Sequence, residues 1–117
     1  MLIIRKEQFE ALSKYMEESF VSRLVAHLKE FWPEKCQEVG EEAICKSIHN
    51  GIDFARKFGI TMEYDVARYI DLMYEFGWSV DEKAPDPWAQ QILTNMELDG
   101  STKMDRLYEQ AELLLEQ

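Results

Sequence analysis

Between Arg5 and Trp32 the chain runs 28 residues without Gly or Pro, and apolar side chains recur at Phe9, Leu12, Met16, Phe20, Leu24, Leu28 and Phe31. Steps of three and four place them on one helical stripe, which Tyr15, Val21 and Val25 widen. The spacing predicts a long N-terminal helix, about 42 Å if unbroken. Pro33 ends or kinks it, because the residue before a proline is pushed out of the α region. Glu34–Val39 reads as a short helix closed by Gly40. Ile44, Ile48, Ile52, Ala55 and Phe58 continue the helical period over 41–58. Asn50-Gly51 inside that stretch is a turn signal, but the unbroken period keeps one weakened helix that Gly59 closes.

Thr61 is the expected N-cap of the next helix, with Val66, Tyr69, Ile70, Met73 and Phe76 as its buried face and Gly77 as its end. Residues 78–84 read as loop. Asp86-Pro87-Trp88 is a compact helix start, Asp capping and Pro first, for a helix through Ile92 and Leu93 to about Met96. After the turn Leu98-Asp99-Gly100, Ser101 or Thr102 is the expected cap of a last helix buried through Met104, Leu107, Tyr108, Ala111 and Leu114. The only competing strand pattern is Leu2-Ile3-Ile4. The expectation is an all-α fold: a small irregular bundle of five to six helices with a long first helix, one domain over 1–117, its neighbours packed antiparallel by short links.

Composition adds limits. The chain has 117 residues, 46% hydrophobic and 31% charged, with a formal charge of −10. That charge argues against a nucleic-acid partner, since a phosphate backbone would repel it. No apolar run approaches a membrane span, and Met1–Arg5 is too short for a signal-peptide core. A cytoplasmic location follows as the expectation, with Cys36 and Cys45 as free thiols.

Candidate chemistry is sparse. His27, Cys36, Cys45 and His49 lack the paired spacing of structural zinc sites, although Cys45 and His49 share a helix face one turn apart. The plainer reading makes Cys45 a small buried residue and His49 a surface side chain. Asp71 and Glu75 also stand one turn apart, as acid/base pairs do, but a solvated acidic face explains them, with Arg68 near enough to Asp65 and Asp71 to pair locally. No serine sits in a nucleophile-elbow sequence, and there is no Gly-rich phosphate loop. No catalytic residue, metal or cofactor is therefore expected.

Charge is unevenly placed. Residues 1–33 are neutral overall, whereas residues 60–99 hold two bases against nine acids. A concentration of that kind steers a basic partner as well as keeping a protein soluble. Trp32, Trp78 and Trp88 fall at helix boundaries, where the first expectation is that they close the ends of a small core. The second is that Trp78 and Trp88 anchor a protein partner, because Trp is enriched at interface hot spots. On that second reading Asp71, Glu75, Asp81, Glu82 and Asp86 form an acidic rim around the two rings.

Several stretches resemble a family: Ile3–Gln8, Phe20–Leu28, Phe31-Trp32-Pro33, Gly51-Ile52, Tyr64–Met73, Phe76-Gly77, Pro87-Trp88-Ala89 and Ile92-Leu93. They are similar to small helical bacterial proteins encoded beside spike proteins and effectors of the type VI secretion system. The resemblance implies a non-enzymatic adaptor or co-chaperone that helps load a secreted effector, with a protein partner and no catalytic residues to carry over. The alternative in the same genetic setting is an immunity protein that neutralises a cognate toxin. A homodimer is open if the first helix projects from the bundle.

Overall fold

The structure, a computed structural model, describes residues 6–78 and 85–116, with side chains from Glu17 onward. The described residues form six α-helices and no strand: α1 (Lys6–Phe31), α2 (Pro33–Val39), α3 (Glu41–Lys57), α4 (Glu63–Phe76), α5 (Pro87–Leu93) and α6 (Gly100–Leu115). None of these helices is long and apolar enough to cross a membrane. The chain divides into two compact units, Met1–Cys45 and Lys46–Gln117.

In the first unit, Phe20, Leu24 and Leu28 are buried one turn apart on α1, and Cys36 of α2 and Ile44 at the start of α3 are buried as well. Phe31, the last member of the predicted stripe, is instead exposed, with its ring 4.7 Å from that of His27. Pro33 begins α2 at the position where its missing N–H costs nothing. Gly40 takes φ +82°, a conformation that favours glycine, and ends that short helix. Burial pushes the Cys36 thiol up, with the Lys29 charge opposing it. Cys45, expected to be buried, is half-buried.

Among the described residues, the second unit contains most of the buried side chains. α3 runs unbroken through Asn50-Gly51, and packing explains the glycine: a Cβ at Gly51 would lie 2.8 Å from both Ile70 Cγ1 and Met73 Sδ on α4. Close approach of α4 thus overrides the local turn signal. One turn earlier on α3, the buried Ser47 hydroxyl meets Tyr74 Oη at 2.7 Å. The start of α6 sits against the end of α3, where a Cβ at Gly100 would lie 2.5 Å from Gly59 O. Lys103 turns its buried ammonium into the same place and donates to Phe58 O at 2.7 Å, beside the negative end of the α3 dipole.

Three helix boundaries differ from the sequence expectation. The cap of α4 is Met62, not Thr61, in extended backbone and without a side-chain hydrogen bond. The cap of α6 is Asp99, not Ser101 or Thr102: its Oδ1 accepts from Thr102 N at 2.8 Å, the ordinary three-residue reach of a capping oxygen. α5 stops at Leu93, three residues before Met96. Thr94 Oγ1 donates back to Gln90 O, and Asn95 Oδ1 accepts from Glu97 N, so local side-chain bonds replace the next helical turn. Met96, the expected last residue of that helix, is 96% exposed.

Candidate functional site

Two groups of side chains meet on α4, and they differ in what faces water. The first is an interior aromatic cluster. Trp78 stacks on Phe76 at 5.4 Å and lies 6.2 Å from Tyr69 and 5.7 Å from Trp88, all between ring centroids. Trp88, at the start of α5, is half-buried and meets Phe76 edge-on at 5.4 Å. Trp78 is only 1% exposed. Its ring therefore closes the core, the first of the two expectations for a boundary tryptophan, and presents no surface to a partner. Tyr69 Oη and Trp78 Nε1 are buried without a hydrogen-bond partner among the described residues, and burial pushes the Tyr69 phenol up.

The second group is a seam between α4 and α6. On α4, Val66, Tyr69, Ile70, Leu72, Met73 and Tyr74 are buried, while Tyr64, Arg68, Asp71 and Glu75 form an outward stripe at steps of four, three and four. Ser101 Oγ donates to Asp65 Oδ2 at 2.6 Å, Arg68 donates to Asp105 Oδ1 at 2.9 Å, and Tyr108 Oη donates to Arg68 O at 3.1 Å. These contacts advance in the same direction along both helices, so α4 and α6 run parallel. The expected antiparallel arrangement of neighbours does not extend to this non-consecutive pair.

Arg68 is the centre of the seam. Its guanidinium donates to Asp65 at 2.6 Å as well as to Asp105, and lies 4.8 Å from the Tyr64 ring centroid and 5.5 Å from that of Tyr108. Asp65, nearly fully buried, feels two opposed influences. Burial raises its carboxyl, but the hydrogen bonds from Ser101 and Arg68 and the Arg68 charge together hold it below the usual carboxylate range. For Arg68, burial is likewise outweighed by its two aspartates, so it stays cationic. Burial pushes the Tyr108 phenol up, and the nearby Asp71 charge adds to the effect.

Of the seven residues expected to meet a partner, the five described ones lie in three different places. Asp71 (half-buried) and Glu75 (exposed) lie on the seam stripe. Trp78 and Trp88 are together, but in the interior cluster. Asp86 is half-buried as the N-cap position of α5 and makes no side-chain cap bond. Asp81 and Glu82 lie outside the described residues. Sequence reasoning missed Tyr64, Ser101, Asp105 and Tyr108. The 64-68-71-75 spacing was available as a signal for Tyr64, whereas Asp105 lies 37 residues from Arg68 and no local pattern links them. Among the described residues, no group of three or more His, Cys, Asp or Glu is placed to hold a metal ion.

Compared with family models, curated proteins and solved structures, the chain matches none of them.

Proposed function

We propose that this chain is a non-enzymatic, cytoplasmic protein-binding accessory, an adaptor or co-chaperone for a secreted effector of the type VI kind, and that it meets a basic surface of its partner. The observation that carries the reading is where the positive charge goes. From residue 60 onward the described cations are Arg68, Lys103 and Arg106. Arg68 is held between Asp65 and Asp105, and Lys103 is buried against Phe58 O, so only Arg106 of the three is exposed. Glu75, Glu97, Asp99, Asp105, Glu109, Glu112 and Glu116 are all exposed. Among the described residues of this region the acid excess is therefore sharper at the surface than in the composition, which favours fast encounter with a basic protein.

The test is co-expression of the full chain with the products of neighbouring genes, followed by co-purification. An adaptor retains an effector or spike component and leaves any toxic domain active. If the chain instead rescues cells from a neighbouring toxin, the immunity role replaces the adaptor role. Retention of none of these products overturns the reading.

A further inference from the structure

We propose that the α4–α6 seam seats an arginine-bearing basic segment of the partner protein, with the outward face of Tyr64 as the stacking platform. The proposal rests on the protein-binding reading above and names the chemistry that the seam selects. Tyr64 is 70% exposed even though the Arg68 guanidinium lies over its ring at 4.8 Å. One face of the ring is thus covered by an internal cation, and the other is left to solvent. Met62, 63% exposed, extends the apolar surface at the start of α4, its sulfur 3.9 Å from Ser101 Oγ.

Exposed carboxylates lie on both helices of the seam. Asp105 meets Arg68 through Oδ1 and its side chain is 65% exposed, so the carboxylate keeps acceptor capacity toward solvent. Glu75 is exposed farther along the same α4 stripe. An exposed aromatic face on an acidic surface suits a guanidinium better than an ammonium, because the planar, weakly hydrated group stacks while keeping its in-plane donors free. Arg68 already makes this combination within the chain, stacked on Tyr64 and Tyr108 while donating to two aspartates. An incoming arginine would repeat the stacking on the free side of Tyr64. Charge complementarity selects a basic segment, and the ring selects arginine within that class.

The experiment titrates the full chain with nona-arginine and with nona-lysine by calorimetry, for the wild type and for Tyr64→Ala, Tyr64→Phe and Glu75→Gln. Circular dichroism checks that each variant is folded. The arginine peptide is expected to bind several-fold tighter than the lysine peptide. Tyr64→Ala should weaken arginine binding about two- to fivefold and erase the preference, while Tyr64→Phe retains it. Glu75→Gln should weaken both peptides alike. Equal binding of the two peptides by the wild type, or a preference that survives Tyr64→Ala, overturns the proposal. A wild-type dimer that Tyr64→Ala converts to monomer also overturns it, because a second copy would then occupy the seam. Co-purification separates the two readings: a partner retained equally by wild type and Tyr64→Ala removes the seam but leaves the protein-binding role intact.

Discussion

The interior cluster and the outer seam both draw on aromatic side chains of α4, for opposite ends. Tyr69, Phe76, Trp78 and Trp88 pack ring against ring, with Trp78 sealed from water. Tyr64 and Tyr108 pack against a cation, and Tyr64 keeps most of its surface in solvent. An aromatic residue at a helix boundary therefore does not by itself mark an interface. What decides is whether the ring's neighbours leave it a free face, and whether polar groups stand at the edge of that face.

The largest effect should come from emptying the cluster. Trp78→Ala is expected to cost about 3–5 kcal/mol in urea denaturation, because the transfer loss and the cavity add. Trp88→Ala, half-buried in the native state, should cost clearly less. Equal losses would mean that the two rings are not divided between core and edge.

Asp65→Asn tests the joint between the regions and should cost about 1–3 kcal/mol, since it weakens charge-assisted bonds to Arg68 and Ser101. The effect should also depend on pH. The native carboxyl is held below its unfolded value of about 3.9, so its stabilisation is complete above that value and fades as pH falls through the native one. The gap between wild type and variant should be constant from about pH 7 to pH 5 and should shrink below about pH 4. A gap that instead widened in acid would contradict the ion pair as its source.

Tyr69→Phe has the opposite sign. Its hydroxyl is buried without a partner among the described residues, so removing it should leave stability unchanged or raise it by up to about 1 kcal/mol. A loss beyond about 1 kcal/mol in the same assay would show that the hydroxyl is bonded. The smallest stability change belongs to the seam: Tyr64→Ala should stay within about 0.5 kcal/mol of wild type, as exposed positions do, while reducing arginine-peptide binding. A variant that lost both together would make Tyr64 a structural residue.

Helix identity was legible before any coordinates because the helical period is local. Gly40 and Gly77 mark helix ends by their own backbone freedom, at φ +82° and +76°. Ends set by competing side-chain bonds were harder to read. Asp99 outranks Ser101 as a cap because Ser101 is drawn to Asp65, 36 residues earlier in the chain. The candidate site divided along the same line. Asp71 and Glu75 were found because they lie one turn apart on one helix, whereas Asp105 and Tyr108 reach Arg68 only once α6 is laid parallel to α4.

The sequence alone thus determined five to six helical segments, most of the buried positions described on them, and the concentration of acid beyond residue 60. Each depends on spacing within a few residues or on counting. Tertiary structure decided which aromatic rings are sealed and which are open, why Gly51 lies inside a helix, and where the positive charges are held. Those outcomes depend on which side chains approach across tens of residues, and local periodicity carries no record of that.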